Sequence, residues 1–152
     1  MADETEWEHA LPEVQARVTE SFQRQGLMHH LGARLVNIAP GRVRIVLPNR
    51  PELTQQDGYV HAGATAAIAD TAGGYAAYTL FPENTRVLTI EYKINLLSPA
   101  LGDHIEAVGA VVKAGRTLTV CRLDVFDVRG TERSLVATGQ QTLIRLDERS
   151  ES

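Results

Sequence analysis

The chain has 152 residues, the size of one ordinary domain, and a composition of 43% hydrophobic and 22% charged residues excludes intrinsic disorder and collagen-like repeats. Fifteen Lys and Arg against nineteen Asp and Glu leave a formal charge of -4, the wrong sign for a protein whose main partner is nucleic-acid phosphate. Cys121 is the one cysteine, so an internal disulfide is excluded, and Met1 to Glu8 is acidic where a secretory leader is basic and then apolar, which makes the cytoplasm the expected location.

Residues Leu11 to Gln25 have helix-forming composition, with Val14, Val18, Ser21 and Phe22 at helical spacing, Pro12 suited to the first turn and Gly26 a stop. From Leu31 the period changes to 2, and Pro40-Gly41 divides two alternating runs, so a β-hairpin is predicted there. Asn49 to Tyr59 is a polar loop with Pro51 and Gly58. It delivers the chain to Ala62 to Leu80, a long run of Ala, Gly and Thr read as a buried helix.

That run comes close to bilayer-spanning length, but Asp70 near its middle would cost about 2.5 to 3.5 kcal/mol at a bilayer centre, so a helix enclosed by protein is expected instead. Pro82-Glu83-Asn84 ends the helical pattern. Four strand-like runs follow: Leu88 to Leu96, Ile105 to Val112, Thr117 to Val128 and Ser134 to Ile144, the last three separated by short turns at Ala114-Gly115 and Arg129-Gly130. In the first of them Leu88, Ile90, Tyr92, Ile94 and Leu96 form the apolar set, which sends Thr89, Glu91 and Lys93 away from it. Asp147 to Ser152 is a charged tail expected to fray. Residues 1–152 therefore predict one α+β domain, an antiparallel sheet wrapped around an apolar helix.

The chemistry gathers in Gly58 to Asp70. His61, Ala62 and Gly63 open the buried helix, and free N–H groups of Ala62 and Gly63 there favour a developing negative charge, such as the oxygen of an attacked carbonyl. Asp70 sits mid-helix among Ala, Ile and Thr, where desolvation acts against its charged form and marks it as a candidate general base or nucleophile; the alternative is a carboxylate paired with a buried partner.

A glycine, a His-x-Gly at the start of a central helix, an Asp nine residues after the His and a strand ending in Asn-x-x-Ser-Pro together resemble the hotdog-fold acyl-CoA thioesterases of the phenylacetic-acid-degradation type. The resemblance runs from the first hairpin to the last strand and is most specific over Gly58 to Gly74 and Leu88 to Gly102. It implies hydrolysis of an acyl-CoA thioester, with Asp70 as general base or nucleophile and the Ala62 N–H polarising the carbonyl. It further implies that Gln55 holds the attacking water, a Thr89 hydroxyl assists near Asp70, and His61 shapes the helix start. Ala62 stands where the family usually has Gly, and Gln55 where Asn is common. No metal or redox cofactor is implied, coenzyme A being part of the substrate, and the implied assembly is a homodimer or homotetramer. Lys113 and Arg116, flanking Ala114-Gly115, are implied contacts for the coenzyme A phosphates; on composition alone they read as solvated surface. Two other readings stand beside hydrolysis: a hotdog hydratase or dehydratase, and an acyl-CoA binding module without turnover.

Helix geometry adds a conclusion independent of the resemblance. Ala62 and Asp70 are eight residues apart, about 12 Å along one helix at 1.5 Å per residue, too far to serve one thioester together. Two antiparallel helices related by a two-fold axis would bring the Ala62 end of one against Asp70 of the other. The acyl tunnel is expected to involve Tyr59, Tyr75, Tyr78, Phe81 and a partner chain. His29-His30, without ligands at metal-binding spacing, is read as surface or capping residues, His104 as a turn residue and Cys121 as a packed thiol.

Overall fold

The computed structural model describes residues 7–148. Helix α1 (Pro12–Gln23) begins on its proline and buries Val18 completely. Gly26 lies just past the end of α1 as expected, yet it also opens a short helix that the sequence reading did not anticipate, α2 (Gly26–Leu31). Gly32 closes α2 with φ 81°, a left-handed cap whose N–H meets the Met28 and His29 carbonyls. The hairpin follows as β1 (Arg34–Ala39) and β2 (Arg42–Pro48), then a single 3-10 turn at Pro51–Leu53 and the central helix α3 (Ala62–Tyr78). The remaining elements are β3 (Thr85–Leu96), β4 (His104–Ala114), β5 (Leu118–Arg129) and β6 (Glu132–Asp147).

The six strands form one sheet in the order β1-β2-β4-β5-β6-β3, with every neighbouring pair antiparallel. This is the hotdog arrangement, α3 lying in the wrap of the sheet against β2 to β6. Its apolar residues meet Val43, Ile45, Leu47, Ile105, Leu123, Val125 and Leu143 from the inner face of the sheet. Contact is closest where Gly109 of β4 passes under α3, since a Cβ there would fall on the backbone of Ala72 and Gly73. The helix is enclosed on most sides, but Ala67, Asp70, Gly74 and Tyr78, spaced three or four apart, form a half-buried stripe. Among the described residues no helix is long and apolar enough to cross a membrane.

Two expectations about chain ends and strand faces need correction. The charged tail does not begin at Asp147: that residue pairs with Thr85, and the Glu148 N–H reaches the Asn84 carbonyl. Arg149 to Ser152 lie outside the described residues, as do Met1 to Glu6 of the acidic opening. The second correction concerns β3, an edge strand. Leu88 and Ile90, counted with its apolar set, are both 55% exposed, whereas Val87 and Thr89 are half-buried toward α3. A bulge at Ile90, with Thr89 opposite Leu143 and Glu91 opposite Thr142, then reverses the phase, so that Ile94 is half-buried further on.

The segment before α1 is tied to edge strand β1 by the Ala10 N–H to the Ile38 carbonyl and comes from the outer face of the sheet. There Trp7 packs against Ala39, Val108 and Phe126, with the Arg42 guanidinium 4.0 Å and that of Arg44 5.1 Å from its ring centre. Glu106 pairs with Arg44 and Arg133 on the same face and lies within hydrogen-bonding distance of His104 Nε2, so His104 opens β4 and is not confined to a turn.

Candidate active site

The start of α3 is shaped by its own sequence. His61 is extended (φ -61°, ψ 135°), and its Nδ1 accepts the Gly63 N–H at 2.7 Å, an imidazole N-cap that puts the ring proton on Nε2. The Ala64 and Thr65 N–H groups turn back to the His61 carbonyl. The expected pair of free donors is therefore reduced to one: Gly63 is spent on the cap, and the Ala62 N–H alone meets no acceptor among the described residues. Glycine at 63 has a steric reason, because a Cβ would lie 2.9 Å from His61 Nδ1.

Gln55 comes from the loop before the helix. Gly58, at φ 85°, lets that loop fold back, and the Gln55 side-chain oxygen accepts the Asp57 N–H at 2.5 Å and the Tyr59 N–H at 3.3 Å. Its NH2 is left as an outward donor with no acceptor among the described residues. Gln55 and Ala62 line one cavity of about 350 Å³ with Tyr59, Thr65, Ser98 and Pro99.

Asp70 lines a different cavity, of about 520 Å³, with Thr89, Tyr75 and Tyr78. The Thr89 hydroxyl donates to Asp70 Oδ1 at 2.6 Å. The sequence reading sent Thr89 away from the face of β3 that meets the core, and the structure overturns this: Leu88 and Ile90 are exposed at this end of the strand, so Thr89 points at α3. Gln141 of β6 was not singled out by the sequence at all. Its Nε2 lies 2.6 Å from Asp70 Oδ1, 3.0 Å from Thr89 Oγ1 and 3.1 Å from the Asp70 carbonyl oxygen. Oδ2 of Asp70 receives no bond from the described residues and remains available to a water molecule or a substrate.

The two cavities share no lining residue. Within one chain, Asp70 and Ala62 thus line separate cavities. Tyr75 and Tyr78 line the Asp70 cavity and Tyr59 the other, whereas Phe81 is buried in the core and lines neither. Beyond the tyrosines the Asp70 cavity turns polar: Gln25 Nε2 donates to the Tyr75 hydroxyl at 3.0 Å, and Ser21 Oγ lies 3.1 Å from it. Burial raises the Tyr78 phenol above its ordinary range, against the opposing charge of Arg17.

Lys113 and Arg116 are exposed at the β4–β5 turn and line neither cavity. His29 and His30 are exposed in the last turn of α2. Cys121 is fully buried under α3, and burial pushes its thiol up to about 12, as expected for a packed and unreactive cysteine.

Known proteins with the same architecture carry related names. A thioesterase family protein from Silicibacter pomeroyi superposes with a TM-score of 0.86 and 42% identity, over 88% of this chain and 98% of its own. Human acyl-coenzyme A thioesterase 13 is 30% identical over 71% of this chain and 76% of its own length. The PaaI protein of the phenylacetic acid degradation operon of E. coli shares the fold, with a TM-score of 0.80 at 17% identity over 90% of this chain and 95% of its own. The Thioesterase superfamily profile matches residues 57–134, the stretch that runs from the Gln55 loop through the capped helix and Asp70 into β6, and the chain belongs to that superfamily of thioester hydrolases.

Proposed function

We propose that the protein hydrolyses acyl-CoA thioesters, with Asp70 as the general base on water or as the nucleophile. The observation that carries this reading is the asymmetry of the Asp70 carboxylate: Oδ1 is held by Thr89 and Gln141, while Oδ2 is free on the wall of a cavity large enough for an acyl group. In the general-base route the Asp70 carboxylate takes a proton as the water oxygen bonds to the carbonyl carbon. The carbon–sulfur bond then breaks, and the proton passes to the departing coenzyme A sulfur.

The site is completed by a second copy of the chain. Asp70 and Thr89 of one subunit act with Gln55 and Ala62 of the partner subunit, Gln55 holding the attacking water and the Ala62 N–H binding the carbonyl oxygen as it becomes negative. Supporting this are the two unshared cavities, the half-buried stripe on α3, and edge strand β3 with Leu88, Ile90, Tyr92 and Leu96 exposed. The assembly is a homodimer, or a tetramer built from two such dimers. Lys113 and Arg116, long cationic side chains at an exposed turn, are assigned to the coenzyme A phosphates, and the reaction as written uses no metal or redox cofactor.

The test is release of free thiol from a panel of aryl-acyl and medium-chain acyl-CoAs. Turnover is expected with at least one class, and Asp70→Asn is expected to lower it at least about 100-fold, since a positioned base commonly supplies about 10²- to 10⁴-fold. Saturable binding without thiol release from any member would reject hydrolysis in favour of a binding module.

A further inference from the structure

We propose that Gln141 is a positioning residue for the hydrolysis, fixing the Asp70 carboxylate so that Oδ2 faces the reacting carbonyl. This rests on the reading of Asp70 given above. Gln141 lies on the inner face of β6 between Gly139 and Leu143, opposite Cys121 of β5 and Tyr92 of β3, and is 1% exposed. A buried amide is costly among Leu, Val and Ala unless its polar atoms are bonded. A purely structural glutamine would satisfy both ends, and a leucine would fill the space without needing to. Gln141 satisfies one end only: its Nε2 is directed at Asp70 and Thr89, while its Oε1 is buried with no hydrogen-bond partner among the described residues.

The helix makes room for this arrangement. A Cβ on Gly73 would fall on Gln141 Oε1 and on the Leu123 side chain, so the amide meets α3 where a missing side chain admits it. The donors then interlock. The Thr89 hydroxyl gives its proton to Asp70 Oδ1 and accepts from Gln141, and Gln141 also donates to Oδ1. With two donors on one oxygen, rotation of the carboxylate about its own axis would break both bonds together. Thr89 alone, on an edge strand beside a bulge, would leave that axis held from a single side.

Steady-state kinetics of the full-length protein test the assignment. Gln141→Leu keeps the bulk and removes the donor; kcat is expected to fall about 10- to 100-fold, part of what a positioned base supplies, while KM stays within about threefold. Gln141→Glu keeps the shape and sets a second carboxyl group against the first. Two such groups at hydrogen-bonding distance resist joint ionisation, so the acid limb of the kcat/KM profile is expected to move up by about one pH unit or more. The other ionisable groups on that cavity are Arg24 capping α1, Tyr75 and Tyr78 of α3, Arg86 of β3 and Glu148 after β6, and neither substitution alters them. A folded Gln141→Leu with wild-type kcat would overturn the proposal. If that variant fails to fold, an unmoved acid limb in Gln141→Glu would overturn it instead. Asp70→Asn separates the two levels of inference: if it stays active the reading of Asp70 fails, whereas a dead Asp70→Asn beside a fully active Gln141→Leu removes only Gln141.

Discussion

Replacing Ala62 by proline isolates one atom of the proposed mechanism. Proline is ordinarily severe inside a helix, but Ala62 is the first residue of α3, where the ring's fixed φ suits the backbone. The residue before it, His61, already has the extended conformation (φ -61°, ψ 135°) that a following proline requires. Ala62 is exposed, which leaves room for the ring, and its N–H has no acceptor among the described residues, so folding loses no hydrogen bond. Stability is therefore expected to change by less than about 1 kcal/mol in either direction. Catalysis should respond quite differently. Deleting a single donor to a developing oxyanion costs about 10²- to 10³-fold in kcat, or about 2.7 to 4 kcal/mol of barrier. Ala62→Gly, which keeps the donor, should retain activity. Thiol release from the best acyl-CoA and thermal melts of the three proteins would be compared. An Ala62→Pro protein with native melting temperature and kcat within threefold of the parent would refute the oxyanion role of Ala62.

Mixing two inactive variants, Asp70→Ala and Gln55→Ala, should restore activity: random pairing makes about half the dimers mixed, each with one intact site of two, or about a quarter of all sites. No recovery once mass spectrometry shows that subunits have exchanged would place both groups in one chain's site. Gly63→Ala crowds the His61 ring out of its cap and should cost about 1 kcal/mol, lowering the melting temperature by a few degrees with a parallel loss of turnover; an unchanged melt would show the cap to be dispensable. Cys121, with its thiol pushed up to about 12, is in the neutral form at assay pH and enclosed, so thiol reagents should label it only in denaturant; fast labelling of the native protein would contradict its burial.

Most of the fold was legible because its signals were local. The alternation of β2 and β4 to β6, the turns at Gly41 and Gly130 and the mostly small residues of α3 each act over a few neighbours. The site was legible where a motif coincides with backbone necessity, as in His61-x-Gly63, whose histidine caps the helix and whose glycine leaves space for that histidine. Thr89 was harder, because strand periodicity identifies two faces but not which one meets the helix, and an apolar edge strand reverses the usual inference. Gln141 was missed because Gln140-Gln141-Thr142 reads as a polar surface patch. A signal was present nonetheless: Gln141 shares its strand phase with Gly139 and Leu143, and an amide in an inward phase needs a buried partner. Helix α2 was obscured because Gly26 reads equally well as the end of one helix and the beginning of the next.

The stack of Arg42, Trp7 and Arg44 gives the molecule a built-in optical reporter with an unusual address. Trp7 is the one tryptophan of the chain, and it sits on the outer face of the sheet, on the strap leading into α1, lining neither cavity. Its fluorescence therefore reads whether that strap is seated on the sheet, and an acyl group entering beside Asp70 leaves it largely unchanged. During denaturation the emission follows release of the strap, while far-ultraviolet circular dichroism follows the sheet and α3. Where the two curves separate, the strap has peeled away from a sheet that is still folded, and a stability taken from tryptophan emission alone would describe only the detachment of that segment.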